Sequence, residues 1–372
     1  MAEKNGPVRV GLAGIGRAGW GMHCPELEAR SDKFQIVAAC DVIAERREEM
    51  RERFRCKTYA RIRDLIDDPD VDLVDIATRT RDHFAHAAMA LEAGKDVFLE
   101  KPMTRTWDEA KRLKRLADRS PGNLYIRHNR RFEPCFQHIR EILESGILGE
   151  VFQFKLRRLG FGRRADWQTL KRYGGGMTMN WGSHIVDQGL QFLESPVKTI
   201  FSDIKRIAAV GDAEDHVKIL LTGRNGRLVD IEVSGGAALV DEPVYMVWGT
   251  RGGLWSDENT IRLRYLDPRC PIPDLKVDSG TPAIQFQPVP KQPETPVKKT
   301  GAASPPFRSQ SRPTNGTERW IEESLPVSPR EKMNMTSIWD KLYETLREGE
   351  PFPIRMEQAM EVMRIVAHVT RR

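Results

Sequence analysis

Short apolar runs alternate with helix-length amphipathic stretches through the first third of the chain. The runs fall at Val8–Ala13, Phe34–Cys40, 57–60, 73–77, 97–99 and 124–126, and helical spacing fills 82–93 and Trp107–Ala117. Alternation of this kind predicts right-handed βαβ crossovers on a parallel sheet. Thr106 followed by Glu109 has the capping-box spacing for the helix that begins at Trp107. After about residue 130 the pattern changes. One helix, Pro134–Glu144, stops at Ser145 and Gly146, and period-two alternation then dominates at 151–156, 199–204, 216–221, 227–233 and 244–248. Turn signals at 224–226 and 250–253 separate these runs, which predicts an antiparallel sheet with few helices.

The expectation is therefore α/β: a doubly wound dinucleotide-type domain over 1–128, then an α+β domain with a large open antiparallel sheet over 129–372. From 268 to 330 the chain carries 13 of its 23 prolines, too many for a regular core element, so an extended surface excursion is expected there. Helix returns at 335–347 and 356–369.

Bulk properties narrow the classes. At 372 residues the chain can hold two cores. No run approaches the roughly 18 apolar residues of a membrane span, and residues 1–7 lack an apolar signal core, so a cytoplasmic protein off the membrane is expected. The five cysteines are scattered without a C-x-x-C pair, which fits reduced thiols and no structural zinc. No histidine among His23, His86, His128 and His138 has metal-ligand spacing. A net charge of +6 raises nucleic acid as a partner. The arginines, however, are interleaved with acids along helices, as at 46–53, which is the pattern of a solvated face.

The candidate chemistry begins at Gly14, Ile15, Gly16, Arg17, Ala18 and Gly19, a G-x-G-x-x-G that follows a strand and precedes a helix. In that context the first glycine permits the turn, the second lets backbone approach a pyrophosphate, and the third packs helix on strand. Asp41 ends the second strand, 22 residues after Gly19, where a carboxylate accepts from ribose hydroxyls and repels a 2′-phosphate. NAD is favoured on that ground, and Arg46 and Arg47 keep NADP open. Glu100, Lys101 and Pro102 close a later strand of the same sheet. Ligands of open α/β sheets sit outside the carboxyl ends of the strands, so Lys101 and the glycine loop can meet over one cofactor.

At this point the chain resembles the glucose–fructose oxidoreductase / inositol dehydrogenase (Gfo/Idh/MocA) family. The resemblance rests on residues 75–78, His83 and 90–103, on Asn129, Arg130, Arg131 and Phe132, on Gly174 to Gly176, and on 180–187 with Asn180, Trp181, Gly182, Ser183, His184 and Asp187. It implies a Rossmann domain joined to a sheet domain, homo-dimers or tetramers built through that sheet, and a small sugar, glycoside or cyclitol as substrate. It also implies Lys101 as the active-site lysine and His184 as general acid or base, since alcohol oxidation sends a hydride to nicotinamide and a proton to a base. Thr78 and His83 are expected on the nicotinamide side and Arg131 in the interdomain cleft. Arg163, Asp166 and Trp167 precede the Gly174 loop, in the region the family uses for substrate. Asn180 departs from the pattern, because dehydrogenases of the family place aspartate four residues before the histidine. An amide there positions a hydroxyl but relays no proton, and its lack of charge lowers the pKa of Lys101 and His184. Asp187 is the candidate for partial compensation. Two rivals follow from the same residues: hydride chemistry on a retained NAD, giving net elimination, glycoside cleavage or epimerisation, and a non-catalytic dinucleotide or sugar sensor.

Overall fold

The computed structural model describes residues 6–270 and 319–371. Six strands, β1 (Val8–Ala13), β2 (Phe34–Cys40), β3 (Lys57–Tyr59), β4 (Leu73–Ile76), β5 (Asp96–Glu100) and β6 (Leu124–Arg127), form a wholly parallel sheet in the order 3-2-1-4-5-6. This is the doubly wound order expected. Its direction of winding reverses between β1 and β4, which opens a crevice above their carboxyl ends. Helices cover both faces, so β4 is buried at every position and reads as a continuous apolar run broken only by Asp75. The helix Trp107–Ala117 starts on the expected box: Thr106 accepts from Glu109 N, and the Glu109 carboxylate accepts from Thr106 N.

The second sheet has eight strands: β7 (Val151–Leu159), β8 (Val197–Lys205), β9 (His216–Gly223), β10 (Leu228–Ser234), β11 (Tyr245–Gly249), β12 (Gly252–Ser256), β13 (Thr260–Leu266) and β14 (Trp320–Pro326). Their order is 14-13-12-11-7-10-9-8, antiparallel throughout except that β7 and β10 run parallel. Strand β9 alternates strictly between buried and half-buried positions, because one face packs on helices 134–144, 183–193 and 356–370.

Three expectations change. The proline-rich excursion expected over 268–330 contains β14, paired with β13 from Leu266↔Trp320 to Thr260↔Pro326. Its prolines do not interrupt it: 319–325 contains none, and Pro326 closes an edge strand, where a missing donor is tolerated. Residues 271–318 of that excursion fall outside the described residues. Strands β12 and β13 were not foreseen, since two glycines open the first of them. The chain also re-enters the first domain's core after residue 335. Ile338, Trp339, Leu342, Phe352 and Ile354 pack with Val10, Leu12, Phe34 and Phe98 on one face of the parallel sheet, so packing there does not follow the division at 128/129. Trp339 is fully buried, edge-on to Phe98 (ring centroids 4.7 Å) and to Phe34 (5.4 Å). Truncating such a side chain costs about 3–5 kcal/mol. The last helix, Met356–Thr370, joins both halves: Ala359 and Met363 enter the core on the other face of the parallel sheet, and Val362, Ile365, Val366 and Val369 enter that of the second sheet.

Candidate active site

A cleft of about 1090 Å³ runs above the carboxyl ends of the parallel sheet and continues against the second domain. Its dinucleotide end is built on glycine. Gly14 has φ +96°, and a Cβ there would lie 2.8 Å from the Ala77 backbone. A Cβ on Gly19 would overlap Gly14 O. A Cβ on Gly16 would meet no protein atom, because that residue faces the open cleft. The three glycines thus serve the turn, the ligand face and the close packing that a pyrophosphate cradle requires. Ile15 is buried and acts through its backbone: its N–H donates to Asp41 Oδ2 at 2.9 Å. Asp41 also accepts from Ile43 N at 2.9 Å and pairs with Arg46 Nη1 at 3.3 Å, which places one carboxylate and one guanidinium together at this end. Arg17 lies exposed on the cleft wall.

Beyond the crevice the walls come from several elements. Thr78 follows β4, and its hydroxyl meets His86 Nδ1 at 3.1 Å. The His83 ring is buried between Pro102 O (2.9 Å) and Thr78 O (3.1 Å), so it ties the loop after β4 to the turn after β5. Burial lowers the pKa of His83. The Lys101–Pro102 peptide is cis. Glu100 folds back so that Oε2 accepts from Lys101 N at 3.0 Å.

Lys101 and Asn180 meet across the cleft. The lysine Nζ donates to both the backbone O and the side-chain Oδ1 of Asn180, each at 3.2 Å, while Asn180 Nδ2 donates to Gln168 Oε1 at 3.3 Å. The amide is oriented, oxygen toward the ammonium, but offers no charge. Burial lowers the Lys101 pKa to about 8, opposed by Glu100 and aided by Arg17, Arg130 and Arg127. His184 lines the same cleft and is buried, with Nδ1 unpartnered among the described residues. Burial, followed by the charges of Lys101 and Arg130, holds it neutral, well below the usual histidine range. Both groups are lowered mainly by burial, and the neighbouring cations add to it.

Asp166 and Trp167 line the cleft, the former paired with Arg164 and capping a short turn through Gln168 N (2.9 Å). Arg163 does not; it is exposed outside the lining, and Arg164 takes its place. Arg131 and Asp187, both expected at the substrate, are instead bound to each other. They form a buried bidentate pair at 2.6 and 2.8 Å, with Arg131 also donating to Pro353 O and Gln358 Oε1. Neither lines the cleft, and with them goes Asp187 as a substitute for the missing acid. Two residues were overlooked. Trp181 lines the cleft edge-on to His184 (ring centroids 6.4 Å), with the Arg130 guanidinium 4.2 Å from its ring centroid. The cause is a single π-helical turn, Thr178–Gly182, whose wider winding brings Trp181 to the same wall as Asn180 and His184. Such turns gather at functional sites, and a second one, Gly19–His23, follows the glycine loop.

Comparison with known proteins agrees with this construction. Residues 8–128 match the "Oxidoreductase family, NAD-binding Rossmann fold", and residues 136–255 match the "GFO/IDH/MocA C-terminal domain". The scyllo-inositol 2-dehydrogenase (NADP(+)) IolW of Bacillus subtilis is 26% identical over 362 residues, 96% of this chain and 92% of that one. An uncharacterized oxidoreductase of Schizosaccharomyces pombe, C26H5.09c, is 32% identical over 257 residues, 67% of this chain and 70% of that one. The crystal structure of an NAD-binding protein from Listeria innocua superposes with a TM-score of 0.78 at 24% identity, over 98% and 97% of the two chains. With glycine cradle, strand-end lysine and sheet domain in place, the chain belongs to the Gfo/Idh/MocA oxidoreductase family.

Proposed function

We propose that the protein is an NAD-dependent dehydrogenase that oxidises a secondary hydroxyl of a sugar, glycoside or cyclitol, or reduces the corresponding ketone. The observation that carries this reading is the convergence of Lys101, Asn180 and His184 on the cleft that the glycine loop enters. The bound nicotinamide supplies the hydride acceptor. The Lys101 ammonium donates a hydrogen bond to the reacting oxygen and stabilises its developing negative charge. His184, held neutral, takes the hydroxyl proton. Asn180 keeps Lys101 aimed without neutralising it. Trp181, backed by Arg130, offers an apolar platform beside the histidine for a ring face.

NAD is preferred because Asp41 follows the carboxyl end of β2, where a carboxylate would accept from the ribose hydroxyls of a bound dinucleotide and repel a 2′-phosphate. Arg46 on the same carboxylate gives NADP a second route, and the Bacillus relative described above is named an NADP(+) enzyme. Copies of the chain pair through the second sheet. Ile200 and Val247 pack inward on the helices, so the neighbouring Phe201 and Trp248 project from the opposite face, where both are exposed.

The test is the near-ultraviolet absorbance of reduced nicotinamide in the purified protein with a panel of polyols, sugars and glycosides, first alone, then with NAD, then with NADP. A substrate-dependent rise with NAD is expected, abolished in Lys101→Met. No rise with either dinucleotide across the panel would overturn the reading.

A further inference from the structure

Beneath the cleft lies a buried charged chain that reaches the lining only through Glu100 and Arg127. His23 ends the π-turn that follows the glycine loop. Its Nδ1 is 2.7 Å from Asp75 Oδ2 on β4, and its Nε2 is 3.1 Å from Glu100 Oε1 on β5. Glu100 Oε1 also accepts from Arg127 Nη1 on β6 at 2.8 Å, and Arg127 continues to Glu26, which accepts from Trp339 Nε1. His23 and Asp75 have no exposed surface.

Both ring nitrogens of His23 face carboxylate oxygens. A neutral imidazole has one N–H and one lone pair, so it would set that lone pair against an anion in a site without water screening. Only the imidazolium donates at both ends. Asp75 Oδ1 is buried without a hydrogen-bond partner among the described residues, so the ring of His23 is the one side chain that the Asp75 carboxyl hydrogen-bonds there. We propose that His23 is a strut, charged at neutral pH, that clamps Glu100 against the Lys101 turn, and so is a positioning residue for the catalytic lysine. The clamp is short. Glu100 Oε1 is fixed by His23 and Arg127, which leaves Oε2 to hold Lys101 N at 3.0 Å. His23 belongs to the turn that follows the dinucleotide loop, so the strut also links the cofactor's seat to the lysine. Its pKa, raised to about 9 against the burial penalty by Asp75 and Glu100 and opposed by Arg127, agrees with the geometry.

The inference rests on Lys101 being the catalytic lysine, and its test separates the two. Nitrogen-15 NMR of the wild-type chain reads the ring directly. Both nitrogens are expected to stay protonated from acid up to about pH 9; a neutral ring at neutral pH would overturn the proposal without any variant. Competitive acetylation of Lys101 against pH, read by mass spectrometry, then gives the lysine midpoint without a substrate. His23→Asn removes a positive charge next to Glu100 and should move that midpoint up by about half a unit or more. Glu100→Gln removes a negative charge next to Lys101 and should move it down by a similar amount. His23→Asn should also lower kcat about ten-fold or more while the dinucleotide KM holds, since a displaced group costs rate before binding. An unmoved midpoint and kcat in a folded His23→Asn sinks the strut. Full turnover in Lys101→Met sinks the functional reading instead.

Discussion

Replacing Asn180 by aspartate tests the electrostatics of the site most directly. The substitution sets a carboxylate where an amide oxygen now stands 3.2 Å from Lys101 Nζ. At an effective dielectric of about 20, a unit pair at that distance attracts by about 5 kcal/mol, equivalent to a rise of almost 4 pKa units in the lysine. Part of this is lost in desolvating the new carboxylate, so a rise of about 1–3 units is expected, from about 8 into or above the ordinary lysine range. The sign for turnover follows from the role of the ammonium. Oxidation by the wild type should fall as pH rises through about 8, because Lys101 loses the proton it donates to the reacting oxygen. Asn180→Asp should carry that falling limb to higher pH. At about pH 9 the wild-type lysine is roughly one-tenth charged and the variant's about half to almost fully charged, so the variant should turn over about five- to ten-fold faster there. The assay is the kcat profile across the alkaline range with saturating dinucleotide and substrate. A limb that stays at about 8, or moves toward acid, would refute the pairing of Lys101 with position 180.

Other substitutions separate chemistry from architecture. His184→Gln should lower kcat by about 10²–10⁴ with substrate KM little changed, and the wild-type profile should show no break near the usual histidine pKa, since His184 is already neutral there. Gly16→Ala should leave the melting temperature unchanged and weaken dinucleotide binding measured by fluorescence titration, because its Cβ meets only the open cleft. Gly19→Ala, whose Cβ collides with Gly14 O, should instead lower the melting temperature. Asp187→Asn strands a buried Arg131 and should destabilise the chain by about 3–5 kcal/mol in urea, whereas a direct substrate role would show in KM at unchanged stability.

The parallel sheet was legible because strands covered on both faces read as unbroken apolar runs, and β1 and β2 begin and end at the expected residues. The meeting of the glycine loop, Asp41 and Lys101 at one cleft was legible because each follows the carboxyl end of a strand of that sheet. The failures have separate causes. β14 reads Trp-Ile-Glu-Glu-Ser-Leu-Pro, an edge strand with a glutamate on each face, Glu322 and Glu323, paired as far apart in the chain as Thr260 and Pro326. Neither propensity nor period distinguishes it from the proline-rich surroundings. Arg131 and Asp187 are separated by 56 residues, and nothing local marks two charges as each other's partner. Trp181 was hidden by a π-turn, which shifts the helical face by one residue without a sequence signature. The docking of 338–354 on the first sheet is likewise a tertiary choice: nothing in its local sequence names the core that it joins.

That docking sets an order of events during synthesis. The parallel sheet is encoded by the first 127 residues, but the layer that covers Phe34 and Phe98 is not made until Trp339 and Phe352 have left the ribosome, more than 200 residues later. At about 5–20 residues per second, the nascent chain carries an uncovered aromatic face for roughly 10–40 s. The nucleotide half cannot mature before the whole chain does, and that interval is when a chaperone is most needed and when chains on neighbouring ribosomes are most exposed to misassembly.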